Sequence, residues 1–187
     1  MVKSITIYKN FNLKKKHHKS IILIGNFDGV HLGHRRLFDQ AKKFKKKFNL
    51  NIGVLTFEPM PKMFFNKKIK NFRISSFDQK MNLLKNLGVN FIINKKFDYK
   101  FSKTKSLDFI KKVIHKKLNA KFIFVSNNFK FGNKREGNVS QLINYETQYN
   151  YKIVKPEPFK IKNKVVSSSL IRSLLEKGYL NKANKLL

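Results

Sequence analysis

Residues 20–24 (SIILI) are a short apolar run that stops at Gly25, and a helical pattern opens within ten residues of it. Over residues 33–48, Leu37, Ala41, Phe44 and Phe48 recur at spacings of four, three and four. Lys42, Lys43, Lys45, Lys46 and Lys47 fill the gaps, so the helix is amphipathic with a basic outer face. A strand apolar on both faces needs cover on both, which a crossover helix on each side of a parallel sheet supplies. Strand signals follow at 51–57, 90–94, 122–126 and 152–154, with a first alternating strand at 1–11. Helical patterns lie between them at 77–87 (stopped by Gly88), around Leu107–Leu118, at 139–149, at 168–177 (stopped by Gly178) and at 180–187. The order predicts an α/β, doubly wound, mostly parallel sheet with helices on both faces. Such sheets bind ligands beyond the carboxyl ends of their strands, at loops 25–33, 58–76, 127–137 and 165–169.

Composition narrows the chemistry. The chain has no Cys, which excludes disulfides, thiolate metal sites and cysteine nucleophiles. No apolar run reaches the roughly 18 residues of a membrane span, and no signal-peptide block opens the chain, so the expected location is the cytoplasm. The net charge of +32 invites a nucleic-acid reading. However, Lys, Asn, Phe and Ile make up half of the residues, as an AT-rich coding sequence would produce. Only Arg35, Arg36, Arg73, Arg135 and Arg172 are arginines, the residue that phosphate and base readers favour. The charge is therefore read as lysine on solvated faces, and residues 14–19 (KKKHHK) as a solvated turn.

Residues 25–34 (GNFDGVHLGH) follow the first buried strand and open the long helix. Gly25, Gly29 and Gly33 permit a tight turn and close approach of backbone to a ligand. The helix start offers free N–H groups to an anion, and His31 and His34, three apart, can face the same one. The pattern is neither G-x-G-x-x-G nor a Walker loop. Ser167, Ser168 and Ser169 precede the apolar stripe Leu170, Ile171, Leu174 and Leu175, so one of them caps that helix.

H-x-G-H is the signature of the nucleotidyltransferase superfamily, and the longer string resembles the adenylyltransferase module of bacterial FAD synthetase, the bifunctional riboflavin kinase/FMN adenylyltransferase family. Further segments resemble that family in the same order: residues 56–61 (TFEPMP), 128–132 (NFKFG) running into Arg135-Glu136-Gly137, 166–172 (VSSSLIR), and 183–187 (ANKLL), similar to the helix that joins its two modules. Met60 stands where the family usually has His. The resemblance implies a Rossmann-like nucleotidyltransferase fold and one FMN adenylyltransferase domain over 1–187. Residues 180–187 would begin the linker helix toward a riboflavin kinase domain, which nothing here resembles.

The implied reaction moves AMP from ATP to FMN, giving FAD and pyrophosphate by direct displacement at the α-phosphate, with Mg²⁺ entering alongside ATP and no protein metal ligand named. The resemblance assigns His31, His34 and Arg172 as catalytic. ATP is assigned to Gly25, Phe27, Asp28, Gly29, His31, Gly33, His34, Ser167, Ser168, Ser169 and Arg172, with Asp28 orienting the loop. FMN is assigned to Pro59, Pro61, Phe65, Asn128 and Phe131. The expected partners are these small molecules and a riboflavin kinase, fused or separate, with no membrane and no nucleic acid. Two other readings share parts of the pattern: a related nucleotidyltransferase for another small substrate, and an inactive nucleic-acid-binding protein resting on the charge.

Overall fold

In the computed structural model, which describes residues 5–70 and 72–187, the apolar runs of the sequence assemble into one six-stranded sheet. Its strands are β1 (Thr6–Tyr8), β2 (Ile21–Ile24), β3 (Ile52–Glu58), β4 (Phe91–Lys96), β5 (Phe122–Phe124) and, later in the chain, β8 (Lys152–Val154). They lie in the order β1-β4-β3-β2-β5-β8, every pair parallel. All four residues of β2 are buried, as expected of a central parallel strand covered on both faces.

Alternation divides the sheet into two apolar layers. Ile21, Leu23, Val54 and Ile92 face α1 (Leu32–Phe48) and α3 (Phe77–Asn86). Ile22, Ile24, Leu55 and Ile93 face the helix that begins at α5 (Ser106–Asp108) and continues with π-type winding over Phe109–Leu118. Each fully buried aliphatic side chain contributes roughly 1.5–3 kcal/mol, so these layers rather than the lysine-coated helix surfaces hold the fold. Gly53 belongs to this packing: a Cβ there would enter the Phe91 ring on the neighbouring strand. The expected doubly wound, parallel architecture is observed.

Local signals set the helix ends. Ser76 and Gln79 form a capping box on α3, and Gly88 follows that helix at φ +74°. Ser167 caps α8 (Ser168–Glu176) by accepting from the Leu170 N–H at 3.2 Å, and α9 (Leu180–Asn184) follows. Several details depart from expectation. The first strand spans only Thr6–Tyr8, and the part of it expected at residues 1–4 lies outside the described residues. The helix expected at 139–149 is interrupted at Tyr145 into α6 (Val139–Asn144) and α7 (Glu146–Tyr149). Short helices α2 (Pro61–Phe65) and α4 (Tyr99–Ser102) and two small hairpins, β6 (Lys130–Phe131) with β7 (Gly137–Asn138) and β9 (Lys160–Ile161) with β10 (Lys164–Val165), lacked a periodic signal.

The KKKHHK segment is not wholly solvated. His17 is buried, stacks on Phe91 at 4.3 Å between ring centroids, and shares a 2.7 Å hydrogen bond with the Tyr8 hydroxyl. An imidazole has an apolar face as well as polar edges, and here the face fills a gap under the sheet while the lysines stay outside.

The position of the site follows from the strand order. From β2 the chain proceeds through β3 and β4 to one side, then returns to add β5 and β8 on the other. The order reverses between β2 and β5, and a crevice opens beyond their carboxyl ends.

Candidate active site

The loop leaving β2 is strained and held on several sides. Phe27 (φ 49°) and Val30 (φ 43°) occupy the left-handed region that favours glycine, a cost of about 1–3 kcal/mol each. Both side chains are buried, and packing of the Phe27 ring on Phe38 and on the edge of His34 keeps the conformation in place. Gly29 (φ 77°) has no room for a side chain: a Cβ would lie 2.7 Å from Ile74 and 2.9 Å from Leu187. At Gly33 a Cβ would lie 2.9 Å from the Val166 carbonyl, so glycine lets the start of α1 approach the segment that leads into α8.

Asp28 ties this loop to two distant segments. Its buried carboxylate accepts from the N–H groups of Ile74 (3.1 Å) and Ser75 (3.2 Å) and from the Arg172 guanidinium (2.7 Å). Arg172 also donates through Nε to the Phe72 carbonyl at 2.7 Å and stacks on the Phe72 ring at 3.9 Å. Ser168 donates to the Asp28 carbonyl at 3.1 Å. These contacts join the loop, residues 72–75 and the first two turns of α8.

His31 caps α1 and His34 lies one turn on, their rings stacked at 3.7 Å between centroids. His31 Nδ1 accepts the His34 backbone N–H at 3.3 Å, which places the proton of the neutral His31 ring on Nε2. Burial, reinforced by the Arg172 cation and partly opposed by Asp28, pushes His31 down to about 4. Burial and then the His31 neighbour also push His34 down. His34 is half-buried as a residue, but its Nδ1 is buried with no hydrogen-bond partner among the described residues. In the first turn of α1, Leu32 N–H donates to the Leu186 carbonyl (2.9 Å), His34 N–H to His31, and Arg35 N–H to the His31 carbonyl. The Gly33 N–H has no partner among the described residues, so it is the amide of this turn available to an anion.

Two cavities flank the loop. One, of about 820 Å³, is walled by His31, Gly33, His34, Ser167 and Ser168, together with the irregular segment 156–159. The other, of about 660 Å³, has Pro61, Phe65 and Phe131 with further phenylalanines on its walls, and Lys62, Lys130, Lys134 and Arg135 among its polar lining. Ser126 and Asn128, on the loop after β5, line both cavities, and Ser126 donates to the Asn128 side chain at 2.9 Å. A ligand in each cavity would meet its neighbour there.

The assigned residues separate accordingly. His31, Gly33, His34, Ser167 and Ser168 share the first cavity, and Pro61, Phe65, Asn128 and Phe131 share the second. Gly25 lines the second rather than the first. Phe27, Asp28 and Gly29 are buried within the loop, Ser169 is exposed on α8, Arg172 is held by Asp28 and Phe72, and none of these or Pro59 lines either cavity. Met60 is buried and precedes α2, directed into packing. Neither Ser126 nor the irregular segment 156–159 stands out in the sequence. The pair Pro156 and Pro158 is the available signal in that segment, whereas Ser126 has none.

A parallel sheet whose order reverses beside a glycine loop, with a histidine-capped helix at its exit, defines an α/β fold of the nucleotidyltransferase type. The family model for FAD synthetase matches residues 13–170, and the chain belongs to that family. It is 39% identical over 94% of its length to the bifunctional riboflavin kinase/FMN adenylyltransferase of Buchnera aphidicola subsp. Schizaphis graminum, and 32% identical over 89% to that of Escherichia coli strain K12. The chain spans 57% and 53% of the lengths of those two relatives. A crystal structure described as a macrolide-efflux protein from Streptococcus pneumoniae superimposes with a TM-score of 0.83 at 26% identity, over 98% of this chain and 61% of that one. A pantoate-beta-alanine ligase from Francisella tularensis shares the fold alone, with a TM-score of 0.57 at 14% identity over 97% of this chain and 86% of that one.

Proposed function

We propose that this chain transfers AMP from ATP to FMN, releasing pyrophosphate and forming FAD. The observation that carries the reading is the pair of cavities converging on Ser126 and Asn128, with the histidine loop on the wall of one and a phenylalanine-rich surface in the other. ATP occupies the histidine side and the isoalloxazine ring the apolar side, against Pro61 and Phe65. An oxygen of the FMN phosphate attacks the α-phosphorus, the bond to the β-phosphate oxygen breaks, and pyrophosphate leaves with that oxygen. No covalent enzyme intermediate is needed, so catalysis consists of positioning and charge stabilisation.

His31 and His34, neutral when the site is empty of anions, donate through their ring N–H groups to the α-phosphoryl oxygens beside the Gly33 amide. Charge that develops there favours protonating the rings, so they gain strength as donors along the reaction. Ser167 and Ser168 hold the triphosphate at the start of α8. Arg172 acts first through Asp28 and reaches a phosphate only by exchanging that partner. Mg²⁺ enters as the counter-ion of ATP. The enzyme acts in the cytoplasm.

The test is to incubate the purified chain with Mg·ATP and FMN and to resolve the products. FAD and pyrophosphate should appear in equal amounts, and riboflavin, which has no phosphate to attack, should give neither. Turnover of another phosphorylated acceptor with FMN left unused would overturn the reading.

A further inference from the structure

Lys80 on α3 is buried, with 3% of its surface exposed, and lies outside the set assigned to either substrate. Its ammonium has three hydrogens to place, and among the described residues its hydrogen bond goes to the Thr56 hydroxyl, at 3.3 Å. Burying a cation with so few partners costs several kcal/mol relative to leaving it in water. Burial pushes its basicity down, followed by opposing effects of Glu58, Arg73 and Asp28. Three cations, Lys80, Arg73 and Arg172, face two carboxylates in this region, Glu58 and Asp28. Arg73 pairs with Glu58 and Arg172 with Asp28, which leaves Lys80 without a carboxylate of its own.

What Lys80 does control is a hydroxyl. The β2–β3 ladder ends where the Gly25 N–H donates to the Leu55 carbonyl at 3.1 Å. Beyond that point the strands part, and the next link is the Thr56 hydroxyl donating to the Asn26 carbonyl at 3.3 Å. A hydroxyl has one hydrogen and can send it to any acceptor in reach. An ammonium is a donor only, so when Lys80 occupies a lone pair of the Thr56 oxygen, the hydroxyl hydrogen is directed to Asn26. Asn26 and Gly25 form the wall of the apolar cavity at the point where the strained loop begins.

We propose that Lys80 is a positioning residue for the flavin side of the reaction, fixing the Gly25–Asn26 wall through the Thr56 hydroxyl. It touches neither substrate. The inference rests on the reading of the site as an FMN adenylyltransferase, and the experiment separates the two. Lys80→Met keeps an unbranched side chain one heavy atom shorter and removes the charge and the donor. Replacing a poorly partnered buried charge with an apolar group of similar size is often neutral or stabilising, so the variant should melt at or above the temperature of the parent chain. Its kcat should nevertheless fall, and its KM for FMN rise, for a combined loss in kcat/KM for FMN of roughly ten- to a hundredfold, the scale of a small misplacement of reacting groups. The KM for ATP should move much less. Thr56→Val, which removes the relay hydroxyl, should reproduce the FMN effect, and adding Lys80→Met to it should produce little further loss.

A folded Lys80→Met variant with parental kinetics overturns the proposal, as does one whose melting temperature collapses while kcat and the KM for FMN hold. If Lys80→Met does not fold, Thr56→Val decides alone: a normal KM for FMN and normal kcat in that variant overturn the proposal. Failure of the parent chain to make FAD would instead remove the functional reading on which the proposal stands.

Discussion

His31 and His34 sit at the one turn where a free backbone amide, two stacked imidazoles and a helix N-terminus face the same space, so their removal should be felt in turnover rather than in flavin affinity. His31→Ala or His34→Ala should lower kcat by about two orders of magnitude, the scale of one lost transition-state donor, with the dissociation constant for FMN little changed. Steady-state kinetics beside a flavin-fluorescence titration checks both halves. The same burial gives a pH signature. Folded His31 takes a proton only near pH 4, whereas the unfolded imidazole takes one near its ordinary 6.5. Between those values the unfolded chain binds more protons, so the His31 contribution is intact above pH 6.5 and is lost as the pH falls toward 4. The loss at His31 amounts to about 3 kcal/mol, with His34 adding in the same direction. Denaturant unfolding at a series of pH values should show this decline, and His31→Gln should flatten it. A pH-independent midpoint across that window would contradict the buried, neutral assignment.

At the scale of elements, the helix starts depend on close contacts that admit no substitution. The Leu186 carbonyl holds the first N–H of α1, and the Leu187 side chain fills the space over Gly29. Deleting Leu186 and Leu187 should therefore raise the KM for ATP several-fold with FMN binding preserved, read from the two substrate dependences separately. Gly53→Ala should act in the opposite manner. Its methyl must displace the Phe91 ring between β3 and β4, costing roughly 1–3 kcal/mol of stability, while kcat at low temperature stays near normal because the site lies beyond the strand ends. Calorimetry and a cold assay together distinguish the two. Most of these elements were legible in the sequence. A run such as Ile21–Ile24 has no polar alternative, and the stripe from Leu37 to Phe44 can bury only as a helix, whereas Phe48 at its end stays exposed. The glycine loop and its histidines were legible too, because the turn needs glycine and the residue types are rare in a chain this rich in lysine. The partners of Arg172 were not. Spacing places it one turn into α8 but cannot show that Asp28, 144 residues earlier, takes its guanidinium. The same holds for Lys80, which reads as one more surface lysine until its helix is docked, and for His17, whose apolar face is used.

Across the whole molecule, a net charge of +32 surrounds the proposed site for two anionic substrates, and long-range attraction should raise association rates without specifying either ligand. Replacing Lys46 and Lys47, which are exposed on α1 and line neither cavity, with Gln should reduce kcat/KM for ATP modestly at low salt and negligibly at moderate salt. Arg172→Lys preserves the charge but cannot both pair with Asp28 and hold the Phe72 carbonyl through a guanidinium fork, so its loss should be larger and should persist with salt. A lysine pair that mattered more than Arg172 at moderate salt would favour bulk electrostatics over geometry. The central claim is that two adjoining cavities hold both substrates at once, meeting at Ser126 and Asn128. Titrating FMN, followed by its fluorescence, in the absence and presence of saturating Mg²⁺ and an ATP analogue with a methylene bridge between the α- and β-phosphorus tests it directly. Simultaneous occupation predicts an FMN dissociation constant that is unchanged or tighter with the analogue present. Displacement of FMN by the analogue would show that the two ligands share one cavity and would contradict the account.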